Sequence, residues 1–409
     1  MRYHQFPKLW AATAASNLGD GLVIVCLPLI ALQIAPSPGL VVGVGWAQTM
    51  PQLLCTLIIG VLVDRADRRQ LMLVANIARA IACGVLALSL FHFAHPLVVL
   101  YTIAFLLGVG EIVSDLAGAA MLPTVVEPDR LTWANSRLKG TESALNEFVG
   151  PPLGGALVAV GGVVAMSSIG GVYLLAAGAL LLMRGQFRPV ERPTAKIWPS
   201  IAEGLRYLWR HKFLRDLAIM VCVMAGAWAA WLAVLVIHVV EPGPVGLSTT
   251  GFGILLSTLA VGGVLGALAA DRVQRVLGTR NVLLTDVITT TVMLGMPALT
   301  VNVWIIGATT FLGGFGSGMW NVTVAALRQR IVPDELLGRV SAAGRLIGLG
   351  SRPVAIAGAA VIVETVGTTW VFAVAGMLCA ALLVPFLSTI TPSAIDRLTT
   401  VPASPKTPS

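Results

Sequence analysis

In the stretch GVLVDRADRRQLM, Gly60 to Met72, five charges crowd into six residues: Asp64, Arg65, Asp67, Arg68 and Arg69. An apolar run lies on each side, long enough at about 20 residues to cross the hydrocarbon core of a bilayer. Lipid offers the backbone no hydrogen-bond partners, so runs of this length must be helices. The charge knot between them reads as a short loop held in water, and its excess of arginine marks the cytoplasmic side. A weaker copy, GALAADRVQRVLGTRNVLL, follows from Gly266 to Leu284, with Asp271 and Arg272 standing 207 positions after Asp64 and Arg65.

Composition extends the argument to the whole chain. Only 11% of its 409 residues are charged and 56% are hydrophobic, where a soluble domain carries about 25% charged residues. The net charge of +8 sits in short loops between apolar runs, which makes it a topology signal rather than a nucleic-acid surface. Cys26, Cys55, Cys83, Cys222 and Cys379 all lie in apolar runs without CxxC spacing and read as small buried residues. No HExxH or GxSxG motif is present, no lysine follows a glycine as a phosphate loop needs, and the five histidines are scattered. These absences argue against an enzyme, a metal site or ATP as the energy source, and no cofactor is expected.

Hydropathy marks twelve spans, near residues 9–33, 41–63, 71–94, 97–121, 136–160, 163–184, 215–238, 250–270, 281–300, 303–326, 339–362 and 367–390. Loops after even-numbered spans hold the arginines and lysines, and those after odd-numbered spans hold none, which places both termini in the cytoplasm of a multi-pass plasma-membrane protein. The expected fold is all-α, with a six-helix bundle over residues 1–184, a cytoplasmic linker over 185–214, a second six-helix bundle over 215–391 and a disordered tail over 392–409. In the linker, Ile201, Leu205, Leu208 and Trp209 fall on one helical face and Glu203, Arg206, Arg210 and Lys212 largely elsewhere, the pattern of a helix lying in the membrane interface. Pro128-Asp129-Arg130-Leu131 and Pro333-Asp334-Glu335-Leu336 repeat at a spacing of 205 residues. Halves repeated in one orientation form parallel repeats, whose substrate site is expected at their interface near the bilayer midplane.

The chain resembles a major facilitator superfamily transporter over nearly its whole length. Gly60, Asp64, Arg65, Arg68 and Arg69 resemble the family's G-x-x-x-D-R-x-G-R-R/K motif, with Asp67 where glycine is usual. GPPLGG, with Gly150, Pro151, Gly154 and Gly155, resembles the core of the antiporter motif of exporters. NLGDGL and AEGLRYLWRHKFLR resemble the macrolide-efflux and siderophore-exporter branch of proton-coupled drug antiporters, although Ala104 stands where those antiporters carry a span-4 arginine. The resemblance implies a conformational latch in which Asp64 faces the start of span 11 and Arg68 and Arg69 pair with Glu127 or Asp129.

Ionisable groups inside spans are costly and are candidates for proton or substrate handling: Asp20, Arg79, Glu111, Asp115, Glu147 and Arg352, with Asp20 and Glu111 first. The plainer role for these carboxylates is a structural ion pair with Arg79. Arg79 and Asp286 occupy matching positions 207 apart. Trp228, Trp231 and Asn321 are candidates to line a cavity. Together these features point to a monomeric secondary transporter that exports a small amphiphilic compound in exchange for protons. The alternatives are an uptake or uniport carrier and, from another class, a membrane-embedded enzyme.

Overall fold

Backbone groups that cannot reach water must pair within their own segment, and the chain is helical almost throughout. The computed structural model describes residues 5–92, 96–185, 187–188, 197–331 and 334–391, with the backbone alone at 92, 197–202, 328–331, 334–339, 341, 342 and 345. The tail over 392–409, most of the linker before Ile197 and the second Pro-Asp repeat's proline lie outside the described residues. The helices are α1 (Phe6–Ile34), α2 (Pro38–Leu54), α3 (Thr56–Arg65), α4 (Arg68–His92), α5 (Pro96–Val125), α6 (Leu131–Ser143), α7 (Gly150–Val160), α8 (Gly162–Leu181), α9 (Ile197–Arg210), α10 (Lys212–Val239), α11 (Thr249–Gly295), α12 (Val303–Ile331), α13 (Asp334–Val366), α14 (Thr368–Ala381) and α15 (Leu383–Thr389).

Eight of the described helices are long and apolar enough to cross a membrane, or nine when α2 and α3 count as one bent span. The protein is an all-α polytopic membrane protein. Its surface agrees, since Ile58, Leu268 and Trp304 are exposed while Arg79 and Asp286 are each only 1% exposed. Large apolar side chains face outward there, and these two charged residues are held within, as lipid demands. Three places account for the difference from twelve. The fifth apolar interval is broken into α6, a π-helical turn over Ala144–Val149, and α7. The eighth and ninth run together in α11, with a break at Gly278, where φ is 80°. The tenth, α12, is diluted by glycine, threonine and a basic end.

Proline and glycine set the local breaks. Pro51 lies inside α2, and α2 and α3 bend by 53° at their junction, because proline removes one helical hydrogen bond and crowds the preceding turn. Gly161, with φ of 148°, alone joins α7 to α8, and Gly367, with φ of 94°, alone joins α13 to α14. The two glycines are 206 residues apart, and only glycine adopts such angles without strain.

Two compact units emerge. The first comprises residues 1–192, 233–257 and 356–366, and the second 193–232, 258–355 and 367–409. Segments 233–257 and 356–366 thus group with the first unit, which the division at the linker does not anticipate. Within the first unit, α1 packs on α5, α7 and α8, α4 lies against α5 and α8, and α2 lies against α5. Within the second, Leu208, Phe213, Leu217, Leu283, Trp320 and Phe386 share one apolar core.

The second charge knot departs from expectation. Asp271 and Arg272 lie on α11, not in a loop. Nothing in VQRVL stops a helix, so α11 runs on to Gly278. The first knot, by contrast, interrupts the chain between Arg65 and Arg68.

Candidate functional site

A buried polar cluster lies within the first unit, assembled by helix periodicity. Ser16 and Asp20 are four apart on α1, Asn76 and Arg79 three apart on α4, and Gly110 and Ser114 four apart on α5, so each pair shares a face. The guanidinium of Arg79 joins them. Its Nη1 donates to Asp20 Oδ1 at 2.6 Å, and its Nη2 reaches Ser16 Oγ at 2.7 Å, Ser114 Oγ at 2.7 Å and Asn76 Oδ1 at 3.0 Å. From α8, Tyr173 donates its hydroxyl to the same Asp20 oxygen at 2.9 Å, and the Arg79 Cζ lies 4.3 Å from the centre of its ring, a cation–π geometry. Two glycines make room. A Cβ on Gly110 would fall 2.6 Å from Arg79 Cγ and Cδ, and one on Gly19 would fall 2.8 Å from Tyr173 Cζ. Arg79 Nε has no hydrogen-bond partner among the described residues. A buried charge pair is tolerable only when further hydrogen bonds satisfy it, and here four helices supply them.

The GPPLGG segment is a contact between backbones. A Cβ on Gly150 would lie 2.6 Å from Gly21 Cα, and one on Gly154 would lie 3.2 Å from the Leu22 carbonyl. Cys26 Sγ donates to the Gly154 carbonyl at 3.5 Å. On its other side Gly155 abuts the carbonyl of Thr249, and Gly253 abuts that of Pro151. Small residues permit this approach. Pro151 is the second residue of α7, directly after the π-helical turn, in the first turn of a helix, where a missing N–H is best tolerated.

The first charge knot takes partners that the sequence does not anticipate. Arg68 Nη1 donates to the Ala120 carbonyl at 2.8 Å, and Arg69 donates to the carbonyls of Leu180 and Leu181 at 2.8 and 3.1 Å. Lys8 Nζ adds a bond to the Leu182 carbonyl at 2.7 Å. Helix carbonyls stand in place of the expected Glu127 and Asp129: Arg68 takes one from α5, and Arg69 and Lys8 take those at the C-terminal end of α8, which carries unpaired acceptors and partial negative charge. Asp67, where the family pattern has glycine, caps α4: its Oδ1 accepts from Gln70 N at 3.1 Å and its Oδ2 from Phe187 N at 3.0 Å. Gly60 has open space around it, and Asp64 and Arg65 are exposed.

The remaining candidates are dispersed. Glu111 is half-buried on α5, and Asp115 is exposed one residue after Ser114. Glu147 lies exposed in the π-helical turn, and Arg352 is half-buried on α13. Trp231 is fully buried and lies 6.4 Å from Trp228, ring centre to ring centre, which makes it core, while Asn321 is exposed. Asp271 and Arg272 are exposed on α11. Among the described residues no three His, Cys, Asp or Glu side chains gather into a metal-holding group. Sequence reading misses Ser16, Asn76, Ser114 and Tyr173. Their signal lies in the repeat, because 206 or 207 residues further on stand Cys222, Leu283, Trp320 and Cys379, and the polar set occurs in one half alone.

Residues 9–348 match the sequence profile of the Major Facilitator Superfamily. The multidrug efflux pump Tap of Mycolicibacterium fortuitum is 29% identical over 349 residues, covering 81% of this chain and 82% of that protein. The macrolide efflux protein A of Streptococcus pyogenes is 22% identical over 395 residues, covering 94% and 96%. In three dimensions, the nucleoside transporter NupG gives a TM-score of 0.73 at 10% identity, covering 95% of this chain and 99% of that one. A bacterial homologue of the iron transporter ferroportin in its inward-facing state gives 0.69 at 17%, covering 94% and 98%. Likeness at such identities speaks for the fold alone. A profile match over most of the chain, on helices of this length and apolarity, means that the protein belongs to the Major Facilitator Superfamily.

Proposed function

We propose that this protein is a secondary transporter that exports a small amphiphilic compound by alternating access, in exchange for protons, and that it is not an enzyme. The efflux pumps among its relatives support export. The observation that carries the coupling is the Asp20–Arg79 pair, 2.6 Å long and held inside the first unit by four helices. A proton arriving on Asp20 cancels the charge that Arg79 faces, so proton entry and the packing of α1, α4, α5 and α8 become one event. Glu111 and Asp115, on the same helix as Ser114, stand as the next carboxylates along the path. The proposal keeps twelve spans, repeat halves over 1–184 and 215–391 joined by 185–214, and both termini in the cytoplasm. Gly60, Asp64, Arg65, Arg68 and Arg69 act in it as a latch that favours one conformational state, and Gly150, Pro151, Gly154 and Gly155 as the packing that preserves the bend in the fifth span.

The test uses proteoliposomes with a pH difference imposed across the membrane. Wild-type protein is expected to move a fluorescent amphiphilic dye against its gradient. Asp20→Asn, at equal reconstituted amount, should retain downhill dye movement and lose the response to pH. An undiminished response in that variant removes Asp20 from the coupling. A wild-type protein that moves confirmed ligands only downhill replaces antiport with uniport.

A further inference from the structure

Helix α9 docks on the second unit by one stripe and leaves another bare. Gly204 and Leu208, four apart, are buried, and Leu208 joins the core of Phe213, Leu214 and Leu217. The neighbouring stripe holds Leu205 and Trp209, also four apart, which are 40% and 53% exposed. The apolar face expected as one is therefore split, and its outer half is not needed to hold the helix in place. Across from it Ile347 of α13 completes a groove of about 600 Å³, whose remaining lining residues are Arg206 and Arg210. No carboxylate lines this groove among the described residues.

We infer that this groove binds an anionic phospholipid, with an acyl chain against Leu205, Trp209 and Ile347 and the phosphate between Arg206 and Arg210. Three properties fit that occupant together. The floor is apolar and gains by removal from water. Arg206 and Arg210, four apart on α9 and both exposed, carry the forked donors that match phosphate oxygens at the rim of this floor. A tryptophan beside them belongs at headgroup depth, and the cytoplasmic leaflet supplies anionic headgroups to basic helices next to membrane spans. A soluble anion uses the arginines and leaves the apolar stripe in water. A zwitterionic lipid offers the stripe an acyl chain and the arginines a phosphate, but brings a cation of its own and leaves their charge unbalanced. The inference rests on the proposed cytoplasmic placement of the linker and holds whatever the cargo or the coupling ion.

The test uses the full-length protein in mixed micelles containing phosphatidylglycerol or phosphatidylcholine with brominated acyl chains, which quench tryptophan on contact. Phosphatidylglycerol is expected to produce a saturable loss of emission at a mole fraction about tenfold or more below that for phosphatidylcholine, from two basic side chains near the headgroup. Trp209→Phe should remove the saturable component. Arg206→Gln with Arg210→Gln should bring the two lipids to the same midpoint, while the melting temperature in phosphatidylcholine stays at the wild-type value. If that double variant does not fold, the wild-type and Trp209→Phe titrations decide. Equal quenching by both lipids overturns the proposal, as does a saturable component that survives in Trp209→Phe. Relief of quenching by an exported dye assigns the groove to cargo and overturns it as well.

Discussion

Arg79 in the first unit and Asp286 in the second stand 207 residues apart and are equally buried, yet their surroundings differ in kind. Arg79 meets one carboxylate, two hydroxyls, an amide and a tyrosine ring drawn from four helices. Asp286 receives a hydrogen bond from Thr290 of its own helix at 3.3 Å, and no ion pair joins it among the described residues. The spacing of the helices is common to both. Gly110 makes room for Arg79, and Gly316, 206 residues later, makes room for Asp286, whose Cα would lie 3.0 Å from an added Cβ. Close helix approach is thus common to both sites, while the network of polar partners lies on one side. Where the first unit has Asn76, Ser114 and Tyr173, the second packs Leu283, Trp320 and Cys379. A repeat by itself therefore says where a site can be built and not which half builds it.

The comparison is broken most easily at its charged centre. Arg79→Ala leaves Asp20 buried without its cation and should cost about 3–5 kcal/mol of stability, measured by unfolding of the purified protein. Asp286→Asn, at a buried carboxyl with no cation beside it among the described residues, should leave stability unchanged or raise it. Equal losses from both would mean that the two sites bear load alike and that the contrast between them is wrong. A smaller effect tests the shared scaffold. Gly110→Ala pushes on the stem of an arginine fixed at its far end and should cost about 1–3 kcal/mol. Gly316→Ala, which meets the rotatable hydroxyl of Thr289 as well as the Asp286 backbone, should cost less in the same melt. The smallest contrast lies between the charge knots. Asp67→Ala removes the cap of α4 and should cost about 1 kcal/mol. Its counterpart Gln274, inside α11 one turn before the break at Gly278, donates to Thr279 Oγ1 at 2.9 Å, and Gln274→Ala should stay within about 0.5 kcal/mol.

How much of this is legible in the sequence follows from the range of each force. Hydrophobicity is additive along a run, so the helices announce themselves, and the breaks at Pro51, Gly161 and Gly367 are written in residue type. Asp20 and Arg79 are legible because charge in a span is expensive wherever it points. Their hydroxyl and amide partners are not, since serine or asparagine in a helix can satisfy itself on the preceding turn, and only packing decides whether it turns inward. Arg68 and Arg69 mislead for a related reason. Pairing arginine with the nearest carboxylate ignores backbone carbonyls, and the end of α8 shows no side-chain signature of the acceptors it offers.

The single-glycine junctions carry one last consequence. Two helices joined at one residue and packed on each other have little slack, so α7 with α8, both within the first unit, should move as one chevron. Spin labels on the two arms of that chevron should keep a constant separation in every state, a built-in ruler against which larger displacements elsewhere in the protein can be calibrated.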